Sequence, residues 1–178
     1  IDDALAGAPG RGTVVIVHDS TQANLRWANN ALTTNGQMHA RSASVIALAD
    51  VEGGIATGCL SGPVTQASDL ADLVSRASAL ASASVPGEDP VDLVESVVDA
   101  DYASGPEPTS IEVLAEVASG LGRAFDAARA ANHLLFGFAE HVATTTWLAT
   151  STGVRRRSVN CGGTLELTAK HPDMIGSA

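Results

Sequence analysis

The stretch "LRWANNALTTNG", Leu25 to Gly36, decides how the first third of this chain folds. It sets one Trp and three Asn between two apolar runs, so it reads either as a ligand-binding loop or as a strand turning a corner. Asn and Gly are ordinary turn residues, which supports the second reading. Within the stretch, "TTNG" (Thr33 to Gly36) ends in Asn-Gly, the strongest short hairpin signal, and the turn is expected there. Asn29 and Asn30 are then backbone-satisfying groups at a strand irregularity rather than catalytic residues.

Upstream, "TVVIVHD" (Thr13 to Asp19) is a short β-branched run bounded by Gly and by Asp-Ser, the pattern of a buried strand. Gln22 to Trp27 forms a second strand with imperfect alternation. Downstream, Gln37 to Ala49 gives a long strand, "VEGG" turns, and "IATGCLS" (Ile55 to Ser61) gives another. Helix follows: Leu70, Leu73, Val74, Ala77 and Leu80 recur at helical spacing and make one apolar stripe. A short helix is predicted after Asp89-Pro90, an N-cap with proline at the first helical position. "TSIE" places Glu112 three residues after Thr109, a capping box opening a second long helix. Ile111, Leu114, Ala118, Leu121 and Phe125 share one face of it. Gly120 and Gly122 each weaken its interior by about 1 kcal/mol relative to Ala, which suggests close packing against a neighbour, with a tolerated defect as the alternative.

The tail returns to sheet. "LLFGFAEHVATTTWLATS" (Leu134 to Ser151) is long and β-branched, Thr152-Gly153 turns it into "VRRRSVNC", and Gly162-Gly163 turns that into "TLELTAK". In the last strand Leu165 and Leu167 fall on one face, Glu166 and Thr168 on the other. Strands, then helices, then strands define an α+β domain: a mostly antiparallel sheet with two long helices packed on it.

Composition narrows the function. Hydrophobic residues make up 45% of the 178, enough for a real core, but aromatics are only 3%, so Val, Leu, Ile and Ala must fill it. Twenty acidic against ten basic residues argue against nucleic acid, whose phosphates need Lys and Arg. Cys59 and Cys161 are too few and too far apart for a disulfide framework or zinc finger. No apolar run reaches the roughly 18 residues of a membrane span, and no signal peptide is visible, so a cytoplasmic protein is expected. The chain starts at Ile1 without Met and ends at "HPDMIGSA" with no closing element. It is therefore expected to be a single domain, residues 1–178, of a longer protein.

The residues alone offer no active site. None of His18, His39, His133, His141 and His171 belongs to an H-E-x-x-H pattern. His133 and His141 would lie about 26 Å apart on one straight strand, too far to share an ion. Cys59, in a strand, reads as a small buried hydrophobe, and Cys161 as a more exposed thiol with no identifiable base. Arg155, Arg156 and Arg157 are the one concentration of positive charge. Strand alternation sends Arg156 to the face opposite Arg155 and Arg157, so they suit carboxylate pairing or a subunit contact better than a basic stripe.

Two segments, "LRWANNALTTNG" with "ARSASVIAL", and "GFAEHVATTTWLATSTGVRRR" with "GGTLELTAK", resemble the N-terminal domain of the TldD/PmbA (TldD/TldE) family. Family features matched are the Asn of "RWANN" and the strand pair turning through "STGVRRR". Members are known as modulators of DNA gyrase and as peptide-maturation proteases. The resemblance implies a domain that carries no catalytic or metal residue of its own, since the family's zinc sits on an H-E-x-x-x-H helix beyond this region. It is closer to the PmbA/TldE branch, which lacks that motif and pairs with a zinc-bearing TldD-type subunit. The implied partners are unfolded peptides and a homo- or heterodimeric TldD-type subunit, with no nucleic acid and no membrane. The implied role is subunit interface and chamber wall, with Arg155, Arg156 and Arg157 as interface residues. Two other readings stand beside it: a stand-alone interaction module acting on gyrase or a toxin-antitoxin component, and a small hydrolase using Cys161.

Overall fold

Residues 1–88, 92–171 and 173 are described by a computed structural model. The order of elements is α1 (Asp2–Ala6), β1 (Gly12–Ala28), β2 (Ala31–Val51), β3 (Gly54–Pro63), α2 (Ala67–Ser82), a 3-10 turn (Ile111–Leu114), α3 (Ala115–Ala130), β4 (Leu134–Thr150) and β5 (Arg155–Lys170). The strands form one antiparallel sheet in the order β3-β2-β1-β4-β5, an α+β fold as expected. By packing, the chain divides into two compact units. One comprises Ile1–Asp19, Ala40–Pro106 and Thr145–Val159; the other comprises Ser20–His39, Glu107–Thr144 and Asn160–Ala178.

In the first unit, alternation builds the core. Val15 and Val17 of β1 and Ala43, Val45, Ala47 and Ala49 of β2 turn to one face, the period-2 consequence of a pleated strand. Leu70, Leu73, Val74, Ala77 and Ala81 of α2 pack with them. Leu80, expected in that stripe, is 42% exposed, and Ala81 replaces it. At 100° per residue, position 81 falls about 20° from Leu70 and position 80 about 80° off. The alanines let helix and sheet approach closely. At Gly58 a Cβ would lie 2.2 Å from the Ala77 carbonyl oxygen, so α2 rests directly on the β3 backbone.

The first turn of α2 is closed by a reciprocal cap. Gln66 at the N-cap accepts from the backbone N–H of Asp69, and Asp69 accepts from the Gln66 N–H at 3.0 Å and the Thr65 N–H at 2.8 Å. The Asp89-Pro90 cap predicted for a short helix lies outside the described residues, and residues 92–108 form no helix. Instead Val98 makes a parallel bridge with Arg155, through Arg155 N–H to Val97 O and Asp99 N–H to Arg155 O, each 2.8 Å. The β-branched "VV" suits this extended pairing better than a helix.

The second unit holds the opening stretch. β1 runs unbroken to Ala28, and β2 runs unbroken from Ala31 through Thr33–Gly36. The corner is therefore Asn29-Asn30, not Asn35-Gly36. Both asparagines have positive φ, 53° and 59°, as a two-residue turn of the I′ kind requires. Asn30 is held there by β4: its Nδ2 donates to His133 O and its Oδ1 accepts from the Leu135 N–H, both 2.7 Å. No such partner fixes Gly36, around which a Cβ would meet nothing within 4 Å.

Ala23, Leu25 and Trp27 of β1 pack with Leu121, Phe125 and Ala128 of α3 and with Leu135 and Ala139 of β4. Gly137, with φ +153°, makes room for Trp27, whose ring a Cβ there would approach to 2.7 Å. The α3 end is capped by Ser110 rather than Thr109: Ser110 Oγ accepts from Glu112 N–H, and the first turn is 3-10. Thr109 is buried and bonded elsewhere, its N–H to Thr21 Oγ1 at 2.9 Å and its hydroxyl to His141 Nδ1 at 2.7 Å. Gly122 has nothing within 4 Å of a Cβ, so the glycines of α3 mark a tolerated defect and not close packing. β5 passes straight through Gly162-Gly163 because its hairpin partner β4 extends back to Leu134.

Candidate binding cavity

The Arg triplet pins a loop. Arg155 bonds Asp2 (Nε–Oδ1 2.7 Å), Arg156 bonds Asp99 (2.5 Å), and Arg157 bonds Asp101 (2.9 Å) and the Gly105 carbonyl (2.8 Å). Carboxylate pairing, one of the two uses read from the sequence, is what each side chain does. The Arg157 N–H and then the Arg156 side chain hold the Asp99 carboxyl below its ordinary range. Arg155 and Arg157 also lie over the rings of Tyr102 and Trp147, at 5.9 and 6.0 Å. Trp147 Nε1 donates to the Tyr102 carbonyl at 3.2 Å. These contacts set loop 99–105 against β4 and β5.

Beneath them, within the first unit, lies a cavity of about 720 Å³, in the size range of small-molecule and side-chain pockets. Its apolar wall includes Val17, Val64, Leu70, Tyr102 and Trp147. One cation, Arg41 of β2, stands in that wall and grips Asp19 of β1 through Nε at 2.6 Å and Nη2 at 2.5 Å. Asp19 is 1% exposed, and the Arg41 guanidinium is one of the groups that pair with its carboxylate. Asp2 and Asp3 of α1 also line the space. Desolvation foremost, and repulsion by Asp2, raise the Tyr102 phenol above its usual range.

Sequence reading missed this cavity. One signal was available: in "TVVIVHD", Asp19 shares the face of Val15 and Val17, so a carboxylate pointed into the core. Its partner, 22 residues away, carried no signal.

The other candidates scatter. His18 bonds Thr146 (2.9 Å), His141 bonds Thr109, and His133 meets His171 edge-on at 5.3 Å. Among the described residues no three His, Cys, Asp or Glu side chains converge to hold a metal ion. Cys161 is exposed, and so is Cys59, against the expectation of burial; Ala56 and Gly58 take the α2 side of β3, which turns position 59 to solvent. Among the described residues no helix is long and apolar enough to cross a membrane.

No protein-family profile matches the chain, and no curated protein does either. Solved structures do. TldE from Thermococcus kodakarensis is similar over 93% of this chain at a TM-score of 0.69 and 15% identity. A protein from Thermotoga maritima described as a candidate modulator of a DNA gyrase is similar over 93%, at 0.59 and 14%. A candidate modulator of DNA gyrase from Bacteroides thetaiotaomicron is similar over 94%, at 0.55 and 12%. The chain spans 38%, 37% and 38% of those longer chains. The fold expected from the two quoted segments is therefore the fold observed, shared with TldE and these gyrase-modulator structures.

Proposed function

We propose that this chain is a non-catalytic N-terminal domain of a cytoplasmic TldD/PmbA-type peptide-processing system, closer to the TldE branch. It forms subunit interface and chamber wall, while zinc is held by a TldD-type partner subunit. The observation that carries this reading is the TldE fold along 93% of the chain. Strand edges support it. β3 pairs only with Ser42–Val51, which leaves the Ala31–Arg41 part of β2 without a β3 neighbour, and β5 closes the other side of the sheet order. Leu32, Met38, Leu165 and Leu167 are 44–59% exposed on these strands. Such edges suit pairing with an extended peptide or a subunit. Arg156, 54% exposed, is the member of the Arg triplet best placed for a partner.

Deleting residues 1–178 from the intact protein should abolish co-purification of the zinc-bearing subunit or cleavage of an unfolded peptide. Normal assembly and cleavage by the remainder would refute the proposal. The gyrase-modulator descriptions of two similar structures favour a second reading, a protein-interaction module; capture of gyrase by the intact protein with no effect on peptide cleavage would select it.

A further inference from the structure

We propose that the first-unit cavity is a receptor for the C-terminal end of a peptide whose last residue is apolar, with Arg41 receiving the terminal carboxylate. The inference rests on the peptide-processing reading above and names a site for it. Three observations lead there. First, the cavity is walled mainly by apolar side chains, among them Val17, Val64, Leu70 and Trp147, and its 720 Å³ holds a large side chain with adjoining main chain. Second, one of its lining side chains, Arg41, is a cation, and that cation is pre-oriented. Asp19 Oδ2 faces both Nε and Nη2 of Arg41, which anchors that edge of the guanidinium and leaves Nη1 outside the pair for a ligand oxygen. An arginine already locked by a buried carboxylate loses little rotamer freedom on binding an anion. Third, the acidic groups of the wall are paired or solvent-screened, and the rest are neutral. Asp2 is paired with Arg155 at 2.7 Å, and Asp3 is exposed and screened by solvent. Ser68 and Tyr102 supply hydroxyls that can donate to a carboxylate or peptide carbonyl.

A buried Asp–Arg pair is weak evidence for stability, since an apolar pair of the same volume serves as well or better. Its placement in the wall of a cavity is accounted for by holding a guanidinium ready for a ligand. The same geometry disfavours a C-terminal amide, which brings no charge to Arg41.

The test is calorimetric titration of the intact protein with an acetylated tetrapeptide ending in leucine, as free acid and as amide, and with acetyl-leucine alone. Ala71 lines the cavity from the exposed side of α2, so Ala71→Phe obstructs the space without touching the core. Saturable binding of the acid is expected, weakened about tenfold or more by amidation and lost in Ala71→Phe with the fold intact by circular dichroism. Equal binding of acid and amide would overturn the role of Arg41. No saturation at several millimolar, or binding unchanged in Ala71→Phe, would overturn the site. Acetyl-leucine binding as tightly as the peptide would overturn the assignment to peptide ends. Peptide processing lost on deletion of residues 1–178 but without cavity binding sinks this inference alone. Cavity binding with processing unaffected by that deletion sinks the broader reading alone.

Discussion

Asn30 shows how much one side chain can decide. It is 3% exposed, sits at φ 59°, and exchanges side-chain bonds with both His133 and Leu135 of the neighbouring chain segment. Its Oδ1 and Nδ2 satisfy backbone groups that would otherwise be buried without partners. Asn30→Ala should therefore cost roughly 2–4 kcal/mol of stability in urea denaturation, from unpaired groups and a strained φ. Gly36→Thr should be neutral or stabilising by up to about 1 kcal/mol, because a strand interior prefers a β-branched residue. Were Asn35-Gly36 the corner, Gly36→Thr would destabilise strongly instead. The sequence displayed both candidate corners, and the stronger local signal lost. Asn35-Gly36 has the better intrinsic turn chemistry, but the contacts at His133 and Leu135 that select Asn30 lie more than a hundred residues away and leave no local trace.

At the scale of elements, α2 depends on closeness and on its cap. Gly58→Val should destabilise by about 3 kcal/mol or more, since a side chain there collides with the α2 backbone and no rotamer avoids it. Gly122→Ala should stabilise by roughly 0.5–1 kcal/mol, the helix-propensity difference in open space. Both are read from thermal or urea unfolding. The cap adds a pH dependence. The Thr65 hydroxyl, the Thr65 and Gln66 N–H groups and the Gln66 side chain pull Asp69 from its ordinary 3.8 down to about 2. A depressed carboxyl contributes stability that is full above its unfolded value and lost as pH falls through its folded one. Asp69→Ala should thus lower the melting temperature by a constant amount from neutrality to about pH 4.5, with the gap to the native protein closing between about pH 4 and pH 2. A gap independent of pH would show that Asp69 acts in some other way. Elements of this kind were legible where a period repeats: the β-branched run of β1 and the Thr152-Gly153 turn stand as read, and so does the stripe of α2 except at its end, where Ala81 takes the place of Leu80. Ends were not legible. Thr109 fits the capping box and Ser110, with Val113 three residues on, does not, yet the bonds of Thr109 to Thr21 and His141 remove it from that role.

For the whole molecule, the two quoted segments pointed to a fold that similar structures share at 12–15% identity. Such a fold is carried by alternation, turns and helix stripes, which survive when individual residues change. The cavity was not legible, because Asp19, Arg41, Tyr102 and Trp147 come from separate stretches and converge only on folding. A supporting rather than catalytic role is tested most directly by measuring zinc content and unfolded-peptide cleavage for the purified intact protein, alone and mixed with a TldD-type subunit. Alone, it should carry no stoichiometric zinc and cleave nothing, and cleavage should emerge on mixing. One zinc per chain together with cleavage by the protein alone would contradict that role.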